Sequence, residues 1–153
     1  MDPVVRLATA DDIDALDWLQ GHARTALIDV RGGNLRLQEC KAITDWSALL
    51  ADPNAVVLVG ALADVVLGCM VVHLRDEIER GVIGYAFVEE GARELGLGDT
   101  MVEHAIAAVR ERGLRGIEAV ALPGDRETKN LYERAGLTAR KITVYKPLRA
   151  DGD

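Results

Sequence analysis

A short loop between a predicted strand and a predicted helix constrains the fold of this chain more than any other feature. Residues 82–88 are apolar and rich in strand-forming residues, and residues 97–112 have the spacing of an amphipathic helix. Arg93, Gly96 and Gly98 lie between them in the pattern Arg-x-x-Gly-x-Gly. Because glycine has no Cβ atom, an anion can approach the backbone closely there. The unpaired N–H groups at the start of the helix favour a phosphate. The loop therefore predicts a strand–turn–helix unit that binds a phosphate-bearing ligand.

Two common phosphate-binding motifs do not fit this loop. A dinucleotide fingerprint requires a third glycine, and Met101 stands in that position. A P-loop requires Gly-Lys-Ser/Thr at its end, whereas Gly98 is followed by Asp99 and Thr100. The arginine three residues before the first glycine is therefore the feature that separates this loop from both motifs.

The loop resembles the coenzyme-A pyrophosphate loop of the GNAT acetyltransferase superfamily, which reads Arg/Gln-x-x-Gly-x-Gly/Ala. That family has a valine five residues before the arginine, and here it is Val88. Glu90 replaces a proline that is frequent in the family. The resemblance implies acetyl-CoA as the cosubstrate, held by the loop and by the end of the preceding strand. The cofactor-binding residues that it implies are Phe87, Val88, Arg93, Glu94, Leu95, Gly96, Leu97, Gly98, Asp99 and Thr100.

A second stretch, on the next predicted helix, is similar to the same family. The family pattern Leu-Tyr-x-x-x-Gly-Phe is matched by Leu131, Tyr132 and Gly136, and only the final position differs, as Leu137. The structural alternative is an ordinary amphipathic helix. Where the family often has an asparagine seven residues before the tyrosine, this chain has Asp125. The resemblance implies that Asp125 binds the pantetheine arm, as a hydrogen-bond acceptor only.

The resemblance implies that Tyr132 is the catalytic residue of a direct acetyl transfer to a primary amine within a ternary complex. The reaction expels a thiolate, and a phenol beside the sulfur can donate a hydrogen bond or a proton to it. The general base stays open, because Val82 occupies the position of a glutamate that some family members use. The candidates are a water chain and five side chains, namely His73, Glu77, Glu79, Glu89 and Glu90.

Two alternative functions share this cofactor site. A non-catalytic acyl-CoA-binding sensor or partner module is compatible with the departures at Val82, Glu90 and Leu137. A protein-directed acetyltransferase differs only in the width of its acceptor cleft. We expect an amine-bearing small molecule or peptide as the acceptor, selected by residues 22–50, but no substrate signature is visible there.

Size and charge exclude several other classes of protein. A chain of 153 residues suits one domain. The net charge of −7 argues against a nucleic-acid partner. Cys40 and Cys69 have no metal spacing, so we expect free thiols and no metal. We see no apolar run of membrane length and no signal peptide. These features predict a cytoplasmic protein with no membrane partner, and the family suggests a possible homodimer.

The order of the predicted elements is typical of an α/β fold. A strand and two helices precede a three-stranded meander at residues 55–88, and a helix, a strand, a helix and a final strand at residues 138–145 follow it. This order predicts a single-domain GNAT-like mixed sheet, an antiparallel meander followed by a βαβ crossover, with helices on both faces. We expect a GNAT-like acetyltransferase domain at residues 3–148 and a loose C-terminal tail at residues 149–153.

Overall fold

One mixed sheet organises the computed structural model, which describes residues 1–149. Its order is β1-β2-β3-β4-β5, so every strand lies beside its neighbour in sequence. The strands are β1 (Val4–Leu7), β2 (Ala55–Leu62), β3 (Val65–Arg75), β4 (Arg80–Val88) and β5 (Gly116–Ala119). The first four strands are antiparallel, and β5 runs parallel to β4. The predicted meander and crossover are confirmed.

Helices cover both faces of the sheet, as predicted. They are α1 (Ile13–Leu27), α2 (Gly33–Glu39), α3 (Trp46–Ala51), α4 (Leu97–Glu111) and α5 (Arg126–Arg134). Helices α1 and α3 bury Leu16, Leu19 and Trp46 against one face. Helices α4 and α5 bury Met101 and Tyr132 against the other. No helix within residues 1–149 is both long and apolar enough to span a membrane.

The central strands are buried on both sides. Along β3, Cys69 and Val71 pack under α1, whereas Met70 and Val72 pack under α4. Because helices cover both faces of the sheet, β2 and β3 read as continuous apolar runs rather than as alternating apolar and polar residues.

Strand β4 carries a bulge that shapes the site. Val71 pairs with Tyr85 and Val72 pairs with Ile83, so Gly84 is one residue too many on β4. Strand β5 pairs with β4 only as far as Ile83. The remaining part of β4 therefore has no strand partner on that side among the described residues, and a cleft opens there.

Helix α2 was not predicted, because the glycine pair at residues 32 and 33 reads as a chain break. Gly32 adopts a left-handed conformation with φ of +86° immediately before the helix. Arg24 of α1 donates a hydrogen bond of 2.7 Å to the carbonyl of Cys40, beyond the other end of the helix. A helix of seven residues is too short to be stable alone or to show periodicity, so its formation depends on this docking.

The predicted strand at residues 138–145 is wrong. Residues 138–148 have no strand partner and form no backbone hydrogen bond with any part of the described chain. An alternating pattern makes a strand only where a partner edge is available, and these residues do not pair with β5. Of the predicted tail, residues 150–153 lie outside the described residues.

Candidate active site

A cleft of about 1190 Å³ begins where β4 and β5 part. One wall consists of the end of β4, the loop that follows it, the start of α4, and α5. The other wall consists of α1 and α2, which contribute Gln20, Arg24 and Arg36. The two sequence motifs therefore lie on one side of the cleft, and the helices that precede the meander lie on the other.

The structure brings most of the predicted site residues to this cleft. Those that line it are Phe87, Val88, Arg93, Glu94, Gly98, Asp99, Asp125 and Tyr132. Leu95, Gly96, Leu97 and Thr100 do not line it. Leu97 is 1% exposed and lies over Gly60 of β2, so its side chain anchors α4 in the core.

The structure favours glycine at the two loop positions, Gly96 and Gly98, for different reasons. Gly96 is the N-cap of α4 and has φ of +75°, a left-handed conformation that favours glycine. A Cβ atom on Gly96 would meet no atom within 4 Å. A Cβ atom on Gly98 would lie 3.3 Å from Leu131 Cδ1. The absence of a side chain at Gly98 therefore also allows α5 to pack closely on α4, a role that the phosphate interpretation does not include.

The start of α4 presents backbone donors. The N–H of Thr100 donates to the carbonyl of Gly96 at 3.1 Å and closes the first turn. The N–H groups of Leu97, Gly98 and Asp99 precede that bond and have no acceptor within the helix. They lie at the positive end of a 15-residue helix, where an anion is stabilised.

Two ion pairs connect this loop to α5. Arg93 pairs with Glu127, and its Nε also donates to the carbonyl of Val88 at 3.4 Å. Arg134 binds both carboxylate oxygens of Asp99, at 2.9 and 3.3 Å. The Arg93 guanidinium, which the sequence predicts to bind a phosphate, therefore already has Glu127 as its partner. All four side chains are at least 42% exposed, so solvent screens both pairs.

Tyr132 is buried at the base of the cleft, with 7% of its surface exposed. Burial raises the pKa of its hydroxyl to about 12, with Arg36 opposing that shift and Asp125 adding to it. The phenol is therefore protonated at neutral pH and is available as a proton donor.

Asp125 is the N-cap of α5. Its Oδ1 accepts the backbone N–H of Thr128 at 3.1 Å, and its Oδ2 accepts the Thr128 hydroxyl at 2.6 Å. Both oxygens thus already stabilise the helix that carries Tyr132. Binding of the pantetheine arm by Asp125 stays a prediction, and it requires the remaining lone pairs of the carboxylate.

The structure separates the five base candidates. His73 and Glu77 line the cleft, whereas Glu79, Glu89 and Glu90 do not. Glu77 is exposed and paired with Arg75 at 2.7 Å. His73 is half-buried, faces Val82 across the β3–β4 ladder, and places its ring against the bulge at Gly84.

Sequence reasoning missed two cleft residues. Arg36 of α2 crosses the cleft and donates from Nη2 to the Gly84 carbonyl at 3.3 Å. The Tyr85 hydroxyl is buried without a hydrogen-bond partner among the described residues, and burial raises its pKa far above the ordinary value. The position of Tyr85 beside a glycine was a weak signal for the bulge. Arg36 left no signal, because it depends on the unpredicted α2.

The two cysteines are free. Burial raises the pKa of Cys69 to about 12, which keeps it a neutral thiol. Among residues 1–149, no three His, Cys, Asp or Glu side chains are grouped so that they could hold a metal ion.

The fold and this cleft define an α/β domain in which a helix start with free N–H donors and a buried phenol lie on the same wall of one cleft. A sequence model of the acetyltransferase (GNAT) family matches residues 15–137, which include both motifs. The chain belongs to the GNAT acetyltransferase family. No curated protein sequence matches the chain.

Solved structures share the whole fold at low sequence identity. An aminoglycoside acetyltransferase from an uncultured soil metagenomic sample, in complex with trehalose, is 17% identical; the match covers 96% of this chain and 97% of that one, with a TM-score of 0.71. A predicted acetyltransferase with acetyl-CoA from Clostridium acetobutylicum is 15% identical, with 95% and 96% covered and a TM-score of 0.67. AAC(6')-Iy, in complex with the bisubstrate analogue CoA-S-monomethyl-acetylneamine, is 12% identical, with 98% and 100% covered and a TM-score of 0.69.

Proposed function

We propose that this protein is an acetyl-CoA-dependent N-acetyltransferase that transfers the acetyl group directly to a primary amine in a ternary complex. The observation that carries the proposal is that a helix start with free N–H donors and a buried, protonated Tyr132 face one cleft. Membership of an acetyltransferase family supports it.

Acetyl-CoA would lie along the wall formed by β4, α4 and α5. The N–H groups of Leu97, Gly98 and Asp99 would bind the pyrophosphate, with Arg93 beside them once it leaves Glu127. The pantetheine arm would run along the part of β4 that β5 does not pair, past Val88 and Phe87. A similar fold contains acetyl-CoA in the Clostridium acetobutylicum structure.

The chemistry requires one proton to leave the amine and one to reach the sulfur. The neutral amine attacks the thioester carbonyl carbon, a C–N bond forms, and the C–S bond then breaks. Tyr132 donates its hydroxyl proton, or a strong hydrogen bond, to the departing thiolate. Backbone N–H groups of β4 near the bulge would stabilise the oxyanion, and fixed donors of this kind contribute the largest share in many enzymes.

We propose His73 as the residue that accepts the amine proton. Two of the five candidates, His73 and Glu77, line the cleft, and Glu77 is paired with Arg75. His73 lies across the β3–β4 ladder from Val82. Replacing His73 with Gln should lower kcat and leave acetyl-CoA affinity unchanged. An unchanged kcat would assign the base to water or to Glu77.

The acceptor would enter between α2 and the bulge. One of the similar structures is an aminoglycoside acetyltransferase, and another contains the bisubstrate analogue CoA-S-monomethyl-acetylneamine. Amines of that size are therefore reasonable first substrates. Thiol release from acetyl-CoA should be screened with polyamines, amino acids, aminoglycosides and short peptides. Turnover with at least one class is expected.

Tyr132→Phe is the test of the catalytic assignment. It should lower kcat by about a hundredfold or more with little change in acetyl-CoA affinity, because a positioned general acid contributes that much. Tyr145→Phe is the matched control, since Tyr145 is 53% exposed and does not line the cleft. An unchanged rate for Tyr132→Phe would contradict the role of this residue.

A binding module without turnover is the second candidate, and the absence of a carboxylate at Val82 favours it. That function predicts heat on titration with acetyl-CoA and no thiol release with any amine of the panel. Release only with peptides or whole proteins would instead identify a protein-directed acetyltransferase.

A further inference from the structure

The wall of the cleft formed by α1 and α2 is basic and has no acidic partner. Arg24 of α1, Arg36 of α2 and Lys41 after α2 line it, and no acidic residue of segment 13–41 does. Within residues 1–149, none of the three basic side chains forms an ion pair. The whole chain has a net charge of −7, so this wall differs in sign from the protein around it. A concave surface of one sign attracts a ligand of the opposite sign.

The acidic residues that line the cleft belong to its other parts. Those on the opposite wall are Glu94, Asp99, Asp125 and Glu127. Asp52 lies at the end of α3, and Glu77 in the β3–β4 connection is paired with Arg75. The charge of the cleft is therefore segregated, and its uncompensated positive part lies where the acceptor would enter.

The two arginines of this wall have different contacts. Arg24 donates to the carbonyls of Cys40 and Leu37, at 2.7 and 3.5 Å, so its guanidinium docks the end of α2. Arg36 has a single hydrogen bond within residues 1–149, from Nη2 to the Gly84 carbonyl at 3.3 Å. Its other N–H donors remain for a ligand, and the planar guanidinium fork matches the two oxygens of a carboxylate.

Arg36 lies beside the proposed reaction centre. Its contact is with the bulge at Gly84, and the His73 ring lies against the same residue, since a Cβ atom on Gly84 would be 3.2 Å from His73 Nε2. Arg36 is also close enough to Tyr132 to oppose the rise in the pKa of that hydroxyl. An anion bound by Arg36 would therefore lie within a few bonds of an amine that loses its proton to His73.

We propose that the acceptor is an amino acid, whose carboxylate binds Arg36 and lies a few bonds from the amine that is acetylated. Arg24 and Lys41 add positive potential to the same wall, which disfavours polycationic amines. The proposal rests on the proposed acetyl transfer and narrows its acceptor. The amine nitrogen loses one proton to His73 and forms the C–N bond, the thioester C–S bond breaks, and Tyr132 donates a proton to the thiolate. The products are an N-acetylamino acid and the CoA thiol.

The first experiment compares amino acids with their amides as acceptors. Thiol release from acetyl-CoA is measured with glycine and glycinamide, phenylalanine and phenylalaninamide, and β-alanine and β-alaninamide. In at least one pair the acid should have a kcat/KM about tenfold or more above that of the amide, because a hydrogen-bonded charge is lost in the amide. The carboxylate raises the pKa of the neighbouring amine, so intrinsic reactivity at neutral pH favours the amide and cannot produce this preference. Equal rates or a preference for the amide in every pair would overturn the proposal and leave acetyl transfer standing.

The second experiment separates binding by Arg36 from a purely structural role. Arg36→Gln should raise KM for the preferred acid by about ten- to hundredfold and leave KM for its amide unchanged. Arg36→Lys should restore part of the loss, since it keeps the charge without the fork. Arg31→Gln is the matched control, because Arg31 is exposed and does not line the cleft. Equal losses for acid and amide in Arg36→Gln would mean that Arg36 only holds the bulge, and would overturn the proposal.

A binding measurement distinguishes failure of this inference from failure of the proposed function. The same pairs are titrated calorimetrically, at millimolar concentration, into the protein alone and into the protein with CoA. Tighter binding of an acid than of its amide, abolished by Arg36→Gln, supports the carboxylate site even if no amine releases thiol; that result would contradict acetyl transfer alone. If no acid binds more tightly than its amide, the carboxylate site is overturned.

Discussion

The two walls of the cleft are held together in different ways. The wall formed by the β4–α4 loop and α5 depends on short-range geometry, including the left-handed Gly96 and the N-cap at Asp125. The wall formed by α1 and α2 depends on contacts between residues far apart in sequence, such as Arg36 with Gly84 and Gln20 with Ile43. The first wall can therefore be recognised from a motif, whereas the second exists only in the folded chain. Substitutions on the two walls should consequently differ in what they damage.

Gly33→Ala should have the largest effect on stability. An added Cβ would lie 1.7 Å from the Leu27 carbonyl oxygen, so α2 would have to move away from α1. We expect a loss of about 3 kcal/mol, the upper range for overpacking, measured by urea unfolding. Gly21→Ala on exposed α1 is the control, and it should stabilise by about 0.5–1 kcal/mol because nothing lies within 4 Å of its Cβ position. Equal effects would show that α2 is not held by close packing.

Gly96→Ala tests the other wall. Its left-handed φ should make alanine cost about 1–2 kcal/mol of unfolding free energy, although the space around it is open. Gly98→Ala should cost less, about 1 kcal/mol, because Leu131 can shift by a few tenths of an ångström. A larger loss at Gly98 than at Gly96 would contradict the different roles assigned to the two glycines.

The Arg6–Asp12 pair provides a pH test at the start of the α1 wall. Asp12 is 5% exposed, and its hydrogen bonds with Arg6, at 2.7 and 2.9 Å, hold the pKa of its carboxyl below the ordinary value. The stabilisation is therefore present above the unfolded-state pKa and is lost as pH falls through the folded-state pKa.

Asp12→Asn should cost about 1 kcal/mol at pH 7, since the N–H of Thr9 also loses its charged acceptor. Urea unfolding at a series of pH values should show the wild type and the variant converging in acid. A difference that is constant down to pH 2 would contradict the assignment.

Glu127→Gln should have the smallest effect of these substitutions, and it should strengthen ligand binding rather than weaken the fold. Removing the carboxylate frees Arg93 for a phosphate, so acetyl-CoA affinity should rise, by up to about fivefold for a solvent-screened pair. Glu133→Gln is the control on the same helix, because Glu133 pairs with Lys129 and does not line the cleft. Weaker binding in Glu127→Gln would mean that this ion pair orders the loop rather than competing for it.

The same contrast explains how far the sequence could predict this molecule. The α/β fold, the meander, the crossover and the loop at Gly96 all follow from local periodicity and turn chemistry, and they are confirmed. Helix α2 and the contact of Arg36 with Gly84 depend on tertiary docking, and no local pattern predicts them. The final strand fails for the same reason, since its alternation does not say which edge it would join.

Within the candidate site, the sequence predicts the course of the backbone better than the partners of the side chains. The start of α4 lies where the motif predicts it, and the structure adds that Tyr132 is buried and that Glu127 and Thr128 already engage Arg93 and Asp125. Glu127 is 34 residues from Arg93 in sequence. Thr128 lies in the first turn of α5, the helix that Asp125 caps. The sequence spacing of the loop carries no information about them.

Calorimetric titration of the wild type and of Arg93→Ala with acetyl-CoA and with S-acetylpantetheine, which lacks both the pyrophosphate and the 3′-phosphoadenosine, tests the central claim most directly. The account predicts that the wild type binds acetyl-CoA at least about a hundredfold more tightly than the truncated ligand. Arg93→Ala should weaken acetyl-CoA binding by about tenfold and leave S-acetylpantetheine binding unchanged. No heat with acetyl-CoA at high micromolar concentration, or equal affinity for the two ligands, would contradict the assignment of this loop to the pyrophosphate.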